Sequence, residues 1–402
     1  MSASSRSVIG SSGSWSGARP ASPGHDRPKL RMLGSLRVLQ VPPRQDPTHV
    51  GGAGRHIPAA LCRVAVAAMT LRPAPDFDIG LDNARTTEEI VSVARATERG
   101  GFGTIWIAEQ HFYRGVFTIA AAAAEATSSV RIGFGILSPF IRHPASVAME
   151  LASLTERYGD RFALGYGVAH IGSSRLGTVP SNQVAGLRDA AIATRALLRG
   201  ETAYNGARLS CRLPPVSIYL GSMGPQSLRM SGAHYDGALL GVMCSPTFIA
   251  SRAEMIEAAL AKAGRSRGDF SLGALVLTAV ADSPADARHA VRKSVAYYLA
   301  EIPDVSPRLV GTGVSRQDLL SVRAQVLEAK ATGGLEAAAA VLPDDLVDLL
   351  AVAGAPDDVA ERLAGLGDAG LDRVVAHHAL DADATVALGA ALAGRTPPTS
   401  HD

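Results

Sequence analysis

The chain is short of cysteine, with only Cys62, Cys211 and Cys244 in 402 residues. They lie far apart, so they make neither a disulfide framework nor a metal spacing, and a reducing cytoplasm fits them. Net charge is small, +2, and unevenly spread. Residues 1–68 hold nine Lys/Arg against Asp26 and Asp46, which leaves 30 bases and 35 acids in residues 69–402. A mildly acidic body argues against a nucleic-acid partner. No apolar run reaches the length of a membrane span, so no membrane partner is expected. A glycine-flanked serine elbow is missing, which removes that hydrolase chemistry. No Asp/Glu/His spacing joins His377 and His378 into a metal site, and no metal is expected.

Residues 1–68 also lack periodicity. Ten serines and many Arg, Pro and Gly residues argue for a segment without a packed core. An organellar transit peptide has this composition. The reading adopted is a region upstream of the true start, with Met69 as that start. Two domains follow: an N-terminal extension, 1–68, and a catalytic-type domain, 69–402.

What is present, from residue 77 onward, is a regular alternation. Short apolar runs are expected as strands at 77–81, 104–107, 130–136, 162–166, 216–220, 237–241, 270–281 and 371–376. Helical segments separate them, one opened by a capping box at Thr86 and Glu89 and one by His143-Pro144. Asn205-Gly206 predicts a hairpin, and 172–182 reads as a loose stretch. Residues 303–355 read as helical, without a strand. Eight strand-helix units predict an α/β fold of the (β/α)8 TIM-barrel type, with a helical insertion between strands seven and eight. Ligands of such folds face the carboxyl ends of the strands.

Three motifs stand at those ends. AEQHF after strand two puts Glu109, Gln110 and His111 in a row, suited to a polar cofactor edge or a proton transfer. Strand alternation places Glu109 and His111 on one side and Gln110 on the other. GFGILSP in strand three allows close approach of a ligand or of another backbone. GSMGPQ after strand five (Gly221, Ser222, Met223, Gly224, Pro225, Gln226) offers helix-start amides to a phosphate and carries no Walker lysine. The adjacent imidazoles of His377 and His378 are expected to diverge.

These stretches, FGTIWIAEQHFYRGVF, VRIGFGILSPFIRHPASVAMELASLTERYGDRFALGYG, IYLGSMGPQSLRMSGAHYDGALL and LPDDLVDLLAVAGAPDDVAERLAGLGDAGLDRVV, resemble the luciferase-like monooxygenase superfamily. The branch they resemble most is the deazaflavin-dependent group that includes methylenetetrahydromethanopterin reductases. The resemblance implies a (β/α)8 barrel with a ring cofactor across the strand ends and a non-prolyl cis peptide between Gly135 and Ile136. It implies ring contacts from Glu109, Gln110, Gly135, Ile136 and the Gly167-Val168 segment, and phosphate contacts from GSMGPQ. Gln110 stands where many relatives keep a proton-handling histidine, and RGVF replaces a commoner RDAF.

The activity implied is hydride transfer between coenzyme F-420 and a small organic substrate in the cytoplasm, by a homodimer. The alternatives are an FMN-dependent monooxygenase served by a partner flavin reductase, or a flavin-binding barrel without catalysis.

Overall fold

The computed structural model describes residues 74–395. The expectations for residues 1–68 and Met69 lie outside the described residues. The strands, all parallel, are β1 (Asp76–Asp82), β2 (Thr104–Ala108), β3 (Arg131–Leu137), β4 (Phe162–Gly167), β5 (Ser217–Gly221), β6 (Gly237–Leu240), β7 (Ser271–Val280), β8 (Val352–Gly354) and β9 (Arg373–His378). Neighbours run β6-β5-β4-β3-β2-β1-β9-β7, and β6 pairs with β7, which closes a ring of eight. The expected barrel is therefore the observed one. β8 stands outside the ring and, among the described residues, pairs only with Thr278–Val280 of β7.

The strands are apolar on both faces because helices cover the outside and side chains fill the inside. Trp106, Ala163, Tyr219, Leu239 and Val375 form the interior cluster. Gly133 makes room for the indole, since a Cβ there would come within 2.3 Å of the Trp106 ring. That glycine of the GFG motif is thus a packing glycine. Below the indole, Asp78 accepts from Trp106 Nε1 at 2.8 Å and pairs with Arg373 at 2.5 Å.

The local signals hold at the helix starts. Thr86 Oγ accepts from the Glu89 amide, and Glu89 accepts in return from the Thr86 amide, ahead of α1 (Thr87–Arg99). After α2 (Val116–Glu125), Pro144 opens α3 (Pro144–Tyr158), with His143 Nδ1 accepting from Ala145.

Four expectations are corrected. The loose stretch contains a helix, α4 (His170–Leu176), entered through Ala169 at φ 51°. The predicted hairpin, after α5 (Gln183–Leu198), is a tight loop with a single bridge, Ala203 to Ala207; Asn205-Gly206 makes the turn without strands to extend. Between α6 (Pro225–His234) and α7 (Pro246–Lys262) no departure arises. The insertion follows α8 (Pro284–Glu301) and consists of α9 (Arg316–Ala340), broken at Gly333-Gly334, α10 (Asp344–Leu350) and the unexpected β8. Its apolar residues, among them Leu319, Val326 and Val347, pack on Val291 and Val295 of α8. Then come α11 (Pro356–Ala364), β9 and α12 (Ala382–Ala393). β9 runs on through His377 and His378 rather than stopping at Ala376.

Candidate active site

β2 ends at Ala108, and AEQHF leaves it as a loop. Asn83, 1% exposed at the end of β1, holds that loop. Its Nδ2 donates to the carbonyls of Gln110 (3.1 Å) and Arg114 (2.6 Å), and its Oδ1 accepts from the Gln110 amide at 2.7 Å. The side chains then alternate as expected. Glu109 Oε2 and His111 Nε2 lie 3.9 Å apart on one side. On the other, Gln110 Oε1 accepts from Tyr297 Oη at 3.4 Å.

Glu109 is almost covered, its side chain 5% exposed. Arg142, from the IRHP segment, donates to its Oε1 through two nitrogens at 2.6 Å. Its Oε2 and the Nε2 of His111 are buried without a hydrogen-bond partner. Buried polar atoms are costly unless satisfied. A small turn of either side chain towards the cavity would give each a polar partner there. His111 is backed by α4: a Cβ on Gly172 would overlap its Nδ1.

Glu109 and His111 line a cavity of about 840 Å³ at the carboxyl rim of the barrel, while the two atoms themselves are closed to water. Gln110, Gly135 and Ile136 from the β2 and β3 ends, His170 to Gly172 from α4, and Leu275, Tyr298 and His377 from β7, α8 and β9 complete its lining. This volume suits a ring-sized ligand. The Gly135–Ile136 peptide is cis, as the resemblance implies. The Ile136 side chain lies on Gly167 and Gly221, where a Cβ would meet it at 2.3 and 2.6 Å.

Other expected contacts sit elsewhere. Gly167, Val168, Gly221, Ser222, Met223, Gly224, Pro225 and Gln226 do not line this cavity. Gly167 and Gly221 support Ile136 from below. The Val168 carbonyl accepts from Ser138 and Ser173. GSMGPQ occupies the neighbouring rim, where Ser222 Oγ accepts from the Gly224 amide at 3.3 Å. α6 starts there with no side-chain cap and no acid in its first turn, so its amides stay open to an anion.

The imidazoles of β9 diverge, as alternation requires. His377 faces the cavity with Nε2 3.2 Å from Tyr298 Oη. His378 turns away to Ser294 (2.9 Å) and Asp82 (3.2 Å). Burial pushes His377 down to about 3, so it is neutral near pH 7. In the unfolded chain an imidazole protonates near 6.5. The unfolded state then binds more protons, and stability falls as pH drops from about 6.5 towards 3. His377→Gln, which keeps a partner for Tyr298, should flatten that fall in urea midpoints; an unchanged slope would show another group responsible.

Sequence reasoning missed Asn83, Arg142, Tyr298 and Arg308 as wall or support. Asn83 and Arg142 carried a signal, being polar residues just beyond strand ends. Tyr298 and Arg308 come from the α8-to-insertion segment, which has no motif.

The luciferase-like monooxygenase family model matches residues 67–373. The chain belongs to that family. The 5,10-methylenetetrahydromethanopterin reductase of Archaeoglobus fulgidus is 29% identical over 297 residues, 72% of this chain and 89% of that one. The coenzyme F-420-dependent tetrahydromethanopterin reductase structure from Methanopyrus kandleri superposes with a TM-score of 0.71 at 21% identity, covering 81% of this chain and 100% of that chain. An F-420-dependent secondary alcohol dehydrogenase, bound to an F-420–acetone adduct, gives 0.64 at 16% identity, covering 81% and 100%. The two structures agree with the luciferase-like barrel found here.

Proposed function

We propose that this protein is an oxidoreductase that moves hydride between the deazaflavin coenzyme F-420 and a small organic substrate. The observation that carries the reading is a ring-sized cavity lined by Glu109, His111, Gly135 and Ile136, in which Glu109 Oε2 and His111 Nε2 are buried and unpartnered just behind the wall. The relatives support it, since the Archaeoglobus protein is a reductase and the Methanopyrus structure is described as F-420-dependent. When bound, the deazaflavin supplies a hydride-carrying carbon.

The chain's residues do the rest. Glu109 and His111 would hold a polar edge of the ligand, with Arg142 fixing the carboxylate. Ile136 would form an apolar floor. Tyr298, steadied by neutral His377, presents a hydroxyl from α8, and α4 excludes water. The GSMGPQ amides would take a phosphate. The free thiols of Cys211 and Cys244 fit a cytoplasmic setting. A homodimer is part of the same reading, and sedimentation measures it.

Equilibrium titration tests the proposal. F-420 fluorescence should quench on binding, at concentrations where FMN stays free. Tighter FMN binding would favour the monooxygenase alternative and its reductase partner.

Two variants refine it. Ser222→Asp places a carboxylate at the open start of α6 and should weaken F-420 binding several-fold at low salt; unchanged affinity removes GSMGPQ from the site. His111→Asn should lower turnover about tenfold or more near neutral pH, the range expected for a lost proton-handling group. Gln110→His should stay within a few-fold of wild type, because that side chain is directed at Tyr297. A large gain from Gln110→His would return the proton role to position 110.

A further inference from the structure

The lining of the cavity contains a cation with no counter-charge. Arg308 belongs to a short turn, Ser306–Arg308, just inside the insertion. Its Nη1 donates to the Val242 carbonyl at 3.0 Å, and Arg308 lines the cavity with Tyr298, Ile302 and Pro303. The ionisable groups near it are Cys244 and Tyr298. Both are neutral, because burial pushes the thiol up to about 12 and the phenol higher still. The cavity's two carboxylates are engaged elsewhere: Glu109 with Arg142 at 2.6 Å, Glu301 with Lys330 at 2.8 Å. Among the described residues no carboxylate pairs with Arg308.

Taking a guanidinium out of water without a partner is unfavourable. Burial accordingly pulls Arg308 below its ordinary range. Such destabilising features persist where a ligand completes them. The planar fork of a guanidinium matches the two oxygens of a carboxylate or phosphate. Arg175 of α4 lines the same cavity and is exposed.

We infer that Arg308 is the seat of an oxyanion, a carboxylate or phosphate carried by a ligand of this cavity. The inference rests on the cavity being the ligand site and not on which ring cofactor enters it. The oxyanion belongs either to the substrate or to the cofactor's own acidic tail, and the chemistry of the seat is the same.

The test uses the full chain without cofactor, as wild type and as Arg308→Met and Arg308→Lys. Calorimetric titration with inorganic phosphate and with succinate should show binding to wild type that weakens with added chloride. Arg308→Met should weaken it about tenfold or more and leave the melting temperature unchanged or higher, since an unpaired charge is gone. Titration with F-420 then separates the sources. A parallel loss of F-420 affinity, with phosphate competing, assigns the oxyanion to the cofactor. F-420 affinity within twofold, with the anion binding alongside, assigns it to the substrate. Two results would overturn the inference. One is no anion binding to wild type together with unaltered F-420 affinity in Arg308→Met. The other is a melting temperature several degrees lower in both variants, which would make Arg308 a prop for Val242. If wild type binds the anion yet neither F-420 nor FMN, the deazaflavin reading fails while the oxyanion seat stands.

Discussion

Glu109→Gln should lower turnover by about 10²–10³, the scale of a lost acid–base or orienting group, with the melting temperature little changed. The substitution keeps shape and removes charge. Glu109 holds one oxygen against Arg142 and leaves the other, buried, facing His111 across 3.9 Å. An amide in its place presents either a single acceptor to Arg142 or a donor towards His111, and in neither orientation does it reproduce the carboxylate's two acceptors. Arg142 is 35% exposed, so it can turn to water once the charge is lost, which limits the effect on folding. Single-turnover measurement with F-420 separates binding from transfer. The rate should fall more than the affinity. A rate within threefold of wild type would remove Glu109 from the chemistry.

Asp78→Ala should cost about 3–5 kcal/mol of stability, the price of stranding one member of a buried ion pair. Asp78 is fully buried near the amino-terminal mouth of the barrel. Burial pushes its carboxyl up, and the Arg373 guanidinium opposes that shift. Without it, Arg373 keeps Asp76, which is 67% exposed, as its carboxylate partner and a long hydrogen bond to Thr104 Oγ1, and the Trp106 indole loses its acceptor. Asp78→Asn should cost less, because its amide oxygen still accepts from the indole. Urea denaturation measures both. A loss below about 1 kcal/mol for Asp78→Ala, the usual worth of an exposed pair, would mean that Asp76 takes over. F-420 affinity of the folded fraction should be unchanged, since the pair lies at the opposite end of the barrel from Glu109.

The barrel was legible because its strands are apolar runs divided by helices with strong start signals, such as Thr86 with Glu89 and Pro144 in the first turn. β8 was not, because three residues embedded in helical sequence carry no periodicity. α4 escaped because its glycine and serines are weak helix formers; tertiary contacts sustain it, including Ser173 to the Val168 carbonyl and Gly172 against His111. The rim motif AEQHF was readable as a polar strand end, and Glu109 meets His111 while Gln110 meets Tyr297, as alternation expects. Its supports were less so. Asn83 and Arg142 reach Gln110 and Glu109 across 27 and 33 residues, and Asp78 meets Arg373 across 295. No local pattern encodes such pairs. GSMGPQ was readable as an open helix start, but its separation from the Glu109 cavity follows from where β5 ends on the ring.

The central claim is that the cavity beside Gly135–Ile136 holds the deazaflavin with a polar edge at Glu109 and His111. A crystal structure with F-420 bound tests this most directly. The account predicts the ring on Ile136, with one of its polar atoms within about 3.2 Å, hydrogen-bond range, of both Glu109 Oε2 and His111 Nε2. A ring bound instead in the smaller cavity lined by Asp82, Tyr113 and His378, with Glu109 and His111 left unpartnered, would contradict it.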